Sequence, residues 1–126
     1  MTTQPLDLPG APKPGTRLCA LDEIADPGAK GFVFGAGSQR FEMFVVRGGQ
    51  TVHAYVNACP HKGTPLDVQP DLFLTTEKDL ILCSTHGARF RPKDGFCVAG
   101  PCDGQSLTGI PIHIDNGKVV MGAPAA

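Results

Sequence analysis

The sequence contains no tryptophan, only one tyrosine and no long hydrophobic run. No apolar stretch approaches the roughly 20 residues that a membrane-spanning helix requires. Residues 1–17 lack the basic and apolar regions of a secretory signal peptide, and no twin-arginine pair is present, so we expect a cytoplasmic protein. Charged residues make up only 18% of the chain and the formal net charge is −1, which argues against nucleic acid or a membrane as a partner.

Long amphipathic helices are missing as well. Instead, 16 glycines and 12 prolines separate short apolar stretches, a pattern that favours many strands joined by turns. We therefore predict an all-β fold of antiparallel sheets in a small barrel or sandwich. The 126 residues suffice for one domain, which we place at 16–122, between a flexible proline-rich arm at 1–15 and a frayed tail at 123–126.

The predicted strands are short and end at glycine-containing turns. Hairpin turns are expected at Gly48-Gly49, Asp94-Gly95 and Asn116-Gly117, and one helical turn near Asp22. The strands are predicted at Thr16 to Leu21, Gly31 to Phe34, Phe41 to Val46, Thr51 to Val56, Leu80 to Leu82, Ala88 to Phe90, Phe96 to Val98, Ile110 to Ile114 and Lys118 to Met121.

Five cysteines and four histidines are the residues most suggestive of chemistry. Structural disulfides are rare in a cytoplasm, so the cysteines point first to metal or redox chemistry. Two short segments each combine one cysteine with one histidine: Cys59-Pro60-His61-Lys62-Gly63 and Cys83-Ser84-Thr85-His86-Gly87. Each follows an apolar run, so we expect both to lie where a strand gives way to a loop and the two loops to converge.

Three interpretations of these segments compete. They are ordinary buried cysteines and satisfied histidines, a structural zinc site of two cysteines and two histidines, or a [2Fe–2S] cluster with mixed ligands. Zinc fingers usually pair cysteine with cysteine and histidine with histidine, whereas each loop here is mixed. Mixed loops favour the iron–sulfur interpretation, because each loop then contributes one ligand to each iron.

The paired motif resembles that of Rieske proteins. The resemblance rests on Cys59-x-His61 and Cys83-x-x-His86-Gly87, and it extends over residues 16–121 to Phe90, the Asp94-Gly95 turn and Gly100-Pro101. It implies a Rieske fold with a cluster-binding subdomain near residues 57–102, in which Gly100-Pro101 begins the proline loop over the cluster. The interval between the two motifs is longer than is common in Rieske ferredoxins, and residues 70–74 belong to that insertion.

The resemblance also implies the ligands of one [2Fe–2S] cluster per chain. Cys59 and Cys83 would bind the inner iron, and His61 and His86 the outer iron through Nδ1. Further residues are implied around the cluster: Pro60, Lys62, Gly63, Thr85, Gly87, Ala88, Phe90, Gly100 and Pro101. High-potential members of the family carry a serine and a tyrosine at the positions of Ala88 and Phe90, so their absence predicts a low reduction potential.

By the same resemblance, the protein is expected to be an electron carrier and not an enzyme by itself. Its donor would be a flavin-dependent reductase and its acceptor a terminal oxygenase, such as one that hydroxylates aromatic rings. Two alternatives stay open: a small Rieske-like subunit of an NADH-nitrite reductase, and a zinc-binding module without a redox role. Four basic residues are expected to give the cluster end positive charge: Lys62, Arg89, Arg91 and Lys93.

The remaining cysteines and histidines are assigned ordinary roles. Cys19 and Cys97 are expected to be small buried side chains, and Cys102, which follows Gly100-Pro101, to lie near the cluster. His53 and His113 are expected on strands, without a ligand role.

Overall fold

The computed structural model describes residues 12–35, 37, 40–58, 66–67, 73–75, 77, 79–83, 87–100 and 104–122. Within these ranges the chain forms three antiparallel sheets, which confirms the all-β prediction. The strands are β1 Arg17–Ala20, β2 Gly28–Phe34, β3 Phe41–Gly48, β4 Thr51–Val56, β5 Ile81–Leu82, β6 Arg89–Phe90, β7 Cys97–Ala99, β8 Gly109–Ile110, β9 Ile112–Asp115 and β10 Lys118–Met121. The helical element in the same ranges is a single 3-10 turn, Leu21–Glu23.

The first two sheets each combine strands that are consecutive in sequence with one distant strand, whereas the third consists of three consecutive strands. The first sheet has the order β1-β10-β9, the second β2-β3-β4-β8, and the third β5-β6-β7. The third sheet is formed by the segment that carries the second cysteine–histidine motif.

The predicted strand from Ile110 to Ile114 is divided in two. β8 pairs with β4 through Ile110 and Ala54, whereas β9 pairs with β10 through Ile114 and Val119. Pro111 stands between β8 and β9. Because proline has no backbone N–H to donate to a sheet ladder, it marks the point at which the chain leaves one sheet for another.

The turn between β3 and β4 lies one residue later than predicted. Gly48 pairs with Thr51, so the turn residues are Gly49 and Gln50. The side chain of Arg47 donates to the Gly49 carbonyl at 2.8 Å, and the Gly49 N–H donates to Asp26 Oδ1 at 2.8 Å. These two bonds hold Gly49 in the turn. The Gly48-Gly49 pair alone does not show whether the turn lies at residues 48–49 or at 49–50.

Two hydrophobic cores lie on opposite faces of β3. Successive side chains of a strand point to opposite faces, so Met43 and Val45 enter one core while Phe44 and Val46 enter the other. We call them the base core and the site-side core. The base core contains Leu21, Ile24, Phe41, Met43, Val45, Ala54, Ile110, Val119 and Met121. The site-side core contains Phe44, Val46, Tyr55, Leu66, Phe73, Leu74, Ile81, Cys83, Ala88, Phe90, Cys97 and Leu107.

The two ends of the chain fall mostly outside the described residues, including 1–11 of the predicted arm and the tail at 123–126. Within the described part, the Gly15 N–H donates to the Met121 carbonyl at 2.8 Å. The chain is therefore joined to β10 before β1 begins. Within the described ranges, the helical structure is too short and polar to cross a membrane.

Candidate metal centre

The first predicted loop leaves the second sheet at the end of β4. The backbone N–H of Asn57 donates to the Glu42 carbonyl at 2.9 Å, which ties the start of the loop to β3. The predicted ligands Cys59 and His61 lie outside the described residues, together with Pro60, Lys62 and Gly63. The chain is described again at Leu66, whose side chain is fully buried in the site-side core.

The second predicted loop begins directly after β5, as expected. Cys83 is fully buried, its N–H donates to the Ala88 carbonyl at 2.8 Å, and its own carbonyl accepts the N–H of Gly87 at 2.8 Å. These bonds close the turn on itself, so Cys83 lies at its base. Thr85 and the predicted ligand His86, which come between Cys83 and Gly87 in the sequence, lie outside the described residues.

Gly100 brings a third segment against this turn. A Cβ atom at Gly100 would lie 2.7 Å from Ala88 Cα and 3.1 Å from Ala88 N, and its φ of +94° is unfavourable for other residues. Only glycine therefore allows the two backbones this close. The next residue, Pro101, lies outside the described ranges, but the start of the predicted proline loop is placed beside the second motif.

Ala88 and Phe90 are both fully buried and share the site-side core with Cys83. Neither side chain carries a hydrogen-bond donor. The effect of these two residues on a reduction potential stays a prediction.

The described residues fit an iron–sulfur cluster. A buried thiolate is costly unless a positive charge compensates it, and an iron held by Cys83 would supply that charge. Gly87 is exposed and Gly100 is exposed beside it, which leaves the backbone of both segments open to a bound group. Among the residues described, no group of three metal-binding side chains forms, since Cys59, His61 and His86 fall outside them.

The predicted positive charge at the cluster end needs correction. Arg89 is exposed and pairs across the third sheet with Ala99, next to Gly100. Arg91 is neutralised by Asp94, with Nε–Oδ1 and Nη2–Oδ2 distances of 3.1 and 2.6 Å. This bond lowers the pKa of the Asp94 carboxyl, and a further bond from the Phe96 N–H acts in the same direction. Lys93 lies in the β6–β7 turn, which is the opposite end of the hairpin from Gly100.

The described cysteines and histidines outside the two motifs lie on strands. Cys97 is fully buried, and its thiol lies 3.2 Å from the Ala99 carbonyl. Cys19 is only half-buried, and burial raises the pKa of its thiol. His113 Nδ1 lies 2.7 Å from the Gly122 carbonyl, and His53 lies on β4. Cys102 is outside the described residues.

Two residues that support the site were missed by sequence reasoning. Tyr55 on β4 donates its hydroxyl to the Pro92 carbonyl at 2.6 Å and so ties the β6–β7 turn to the second sheet. Burial and the nearby charge of Asp94 raise the pKa of Tyr55 to about 12. Asn57 bonds forward to Leu66 and Asp67. The available signals were the solitary tyrosine and an asparagine two residues before the first motif, and neither identifies its partner in sequence.

A comparison with protein families matches residues 16–114 to the family described as Rieske [2Fe-2S] domain. The chain belongs to the Rieske family. The cofactor is accordingly one [2Fe–2S] cluster per chain, which decides against the zinc interpretation. A comparison with curated protein sequences finds no match.

Solved structures with the same fold include both ferredoxins and oxygenases. The ferredoxin of carbazole 1,9a-dioxygenase from Nocardioides aromaticivorans IC177 is 24% identical, with a TM-score of 0.67 over 89% of this chain and 100% of that one. The ferredoxin of Sphingomonas yanoikuyae B1 is 23% identical, with a TM-score of 0.64 over 87% and 99%. The terminal oxygenase of carbazole 1,9a-dioxygenase from Novosphingobium sp. KA1 is 20% identical, with a TM-score of 0.66 over 90% of this chain but 30% of the oxygenase.

Another similar structure, 20% identical with a TM-score of 0.65 over 82% of this chain and 97% of that one, is described as a complex of reduced oxygenase and oxidized ferredoxin in carbazole 1,9a-dioxygenase. These likenesses establish the fold of the Rieske protein.

Proposed function

We propose that this Rieske protein is a one-electron carrier that receives electrons from a flavin-dependent reductase and passes them to a terminal oxygenase, for example one that hydroxylates aromatic rings. The observation that carries the proposal is the shallow position of the site. Cys83 is fully buried, yet Gly87, Ala99 and Gly100, which lie around the same turn, are exposed. A redox site so close to the surface allows an electron to enter and leave without a channel.

The proposed ligand set is the one implied by the two motifs. Cys59 and Cys83 bind the inner iron, and His61 and His86 bind the outer iron through Nδ1, within a cluster-binding subdomain near residues 57–102. When bound, such a cluster supplies a couple that gains and loses a single electron. The proposed surrounding residues are Pro60, Lys62, Gly63, Thr85, Gly87, Ala88, Phe90, Gly100 and Pro101.

The comparisons support a carrier. The chain spans the whole of one ferredoxin and 30% of a terminal oxygenase from the same organism. One of the similar structures is a ferredoxin in complex with its oxygenase. The cytoplasmic location expected from the sequence is part of this proposal, and no described feature favours a nitrite reductase subunit.

The acceptor is proposed to dock beside the second loop. Arg89 is exposed at the start of β6, and Val98 on the neighbouring strand is 44% exposed. An exposed apolar residue next to a cation suits a partner surface that combines an apolar patch with acidic residues.

A reconstituted electron relay tests the proposal. An NADH-dependent flavoprotein ferredoxin reductase serves as donor and cytochrome c as acceptor, and the rate of cytochrome c reduction is followed with and without the protein. We expect added wild-type protein to raise the rate of cytochrome c reduction in proportion to its concentration. Added His86→Ala protein should leave this rate unchanged. His113→Ala is the matched control, because it removes a histidine from β9, and it should act like wild type. No stimulation by wild-type protein, or equal stimulation by His86→Ala, contradicts the proposal.

A further inference from the structure

Asn57 makes two side-chain hydrogen bonds that cross the base of the first ligand loop. Its Oδ1 accepts the backbone N–H of Leu66 at 2.8 Å, and its Nδ2 donates to Asp67 Oδ1 at 2.9 Å. A backbone N–H can only donate and a carboxylate can only accept, so the two contacts together determine which way the amide faces. The side chain of Asn57 therefore joins the residue before the loop to the two residues after it.

Asn57 and Leu66, the two residues that this hydrogen bond joins, are each held in place by further contacts with the fold. On one side the Asn57 N–H donates to the Glu42 carbonyl on β3 at 2.9 Å. On the other side the Leu66 side chain is fully buried in the site-side core, together with Phe73 and Cys83. Asn57 itself is only 8% exposed, so water cannot readily replace the bonds.

We propose that Asn57 is a positioning residue, which closes the first ligand loop so that Cys59 and His61 meet Cys83 and His86 at one site. The inference rests on the proposed ligand set, because Asn57 is proposed to act through the loop that carries Cys59 and His61. A ligand loop that is closed in advance loses less conformational freedom when the cluster binds, and its ligands are held in one geometry.

Removing the amide should speed loss of the cluster. In Asn57→Ala the Leu66 N–H is left buried without its acceptor, and the Asp67 carboxylate loses its donor. We expect the rate of cluster loss at 25 °C, followed by visible absorbance in the presence of a chelator, to rise about tenfold, which matches the cost of an unmet buried hydrogen bond.

An exchange of the two side chains provides a conservative rescue. Asn57→Asp alone sets two carboxylates against each other without a donor between them, and should be at least as damaging as Asn57→Ala. Asp67→Asn alone keeps a possible acceptor for Asn57 Nδ2 and should stay near the wild-type rate. In the double variant Asn57→Asp with Asp67→Asn, the carboxylate accepts from the Leu66 N–H and from the new amide. Both bonds return with unchanged net charge, and the rate should recover to within about threefold of wild type.

Thr75→Val is the matched control for lost stability. Thr75 is also 8% exposed, and its hydroxyl donates to Asp79 Oδ1 at 2.9 Å. This bond closes a turn at the end of the 74–81 bridge away from Cys83. Both Thr75→Val and Asn57→Ala should lower the melting temperature, but only the Asn57 variant should broaden the EPR lines of the reduced protein and shift its midpoint potential.

The inference is supported if the loss rate rises for both Asn57 single variants and recovers in the double variant. It is overturned if Asn57→Ala loses the cluster no faster than Thr75→Val with an unchanged EPR spectrum, or if the exchange restores nothing. If Asn57→Ala does not fold, the rates of cluster loss in Asn57→Asp and in the double variant are compared instead, and equal rates overturn the inference. Cys59→Ala, measured in parallel, separates this result from the ligand set: a wild-type EPR spectrum in that variant overturns the ligand assignment, whatever the Asn57 variants show.

Discussion

Ala88 and Phe90 are the side chains whose chemistry bears most directly on the redox properties of the site. Both are fully buried beside Cys83, and neither has a donor for a sulfur. A hydrogen bond to a cluster sulfur withdraws charge and favours the added electron, so the lack of a donor on these two side chains should lower the potential relative to family members that have one. We expect the wild-type potential near the lower end of the roughly −150 to +300 mV range of Rieske centres.

Adding the missing hydroxyls should raise that potential. Protein-film voltammetry on Ala88→Ser and Phe90→Tyr should show upward shifts, provided that each hydroxyl bonds a sulfur. Phe96→Tyr is the control, since Phe96 lies outside the site-side core and packs against Arg91. A wild-type potential well above zero, or bonded hydroxyls that leave the potential unchanged, would show that backbone donors alone determine it.

The raised pKa of Tyr55 predicts how the free energy of unfolding changes at alkaline pH. Burial and Asp94 raise its pKa from 10.0 to about 12 in the folded protein. The folded state therefore holds the proton more tightly, so the stabilisation is complete below pH 10 and is lost as the pH rises from 10 towards 12. In urea denaturation, Tyr55→Phe should cost about 1 kcal/mol at neutral pH and lack this part of the alkaline decline. Parallel pH curves for the two proteins would contradict the role assigned to the Tyr55 hydroxyl.

At the scale of elements, the contact between Gly100 and the second loop is the most restrictive feature of the site. Gly100→Ala places a methyl group 2.7 Å from Ala88 Cα. Gly104→Ala is a matched control, because Gly104 has a similar φ of +86° but a Cβ atom there would meet nothing within 4 Å. We expect about 1 kcal/mol of destabilisation for the control and about 2–4 kcal/mol for Gly100→Ala, from denaturant unfolding of the holoprotein. Equal losses of stability in the two variants would mean that the positive φ angle, and not the contact with Ala88, accounts for the cost of Gly100→Ala.

Most strands were predictable because alternation and glycine-containing turns are local signals. Thr51–Val56 was predicted with its observed bounds, and the Asn116-Gly117 turn is confirmed by the pairing of Asp115 with Lys118. The shift of the β3–β4 turn was not predictable, since it depends on Asp26, which is distant in sequence. The division at Pro111 carried a local signal, but only the tertiary structure shows that β8 and β9 join different sheets.

The family was predictable from the two motifs, whereas the side chains that support the candidate site were not. Cysteine and histidine at these spacings carry the family signature by themselves, whereas the partners of Asn57 and Tyr55 lie 9 and 37 residues away. Charge was misjudged for a similar reason. Arg91 looked like a free cation in sequence, but in the β6–β7 hairpin the Asp94 carboxylate turns back onto it.

For the molecule as a whole, the division into two cores predicts that removal of the cluster destabilises the site-side core more than the base core. Among the described residues, the base core contains neither predicted ligands nor residues of the second loop, whereas the site-side core contains Cys83. Metal binding contributes to folding where the ligands lie. After anaerobic removal of the cluster, amide exchange should therefore accelerate at Cys83 and Gly87, while Leu21 and Met121, which donate to Gly117 and Thr16, stay protected. Uniform loss of protection would show that the base core does not fold independently of the cluster.

The most direct test of the central claim is a redox titration of the anaerobically purified protein, followed by EPR. A one-electron carrier with a cluster bound by two histidines and two cysteines should give a single reversible transition with a one-electron slope. The reduced state should show the low average g value of mixed ligation and about one spin per chain. An EPR-silent reduced state, an average g value typical of four cysteine ligands, or a cluster that is destroyed on reduction would contradict the account.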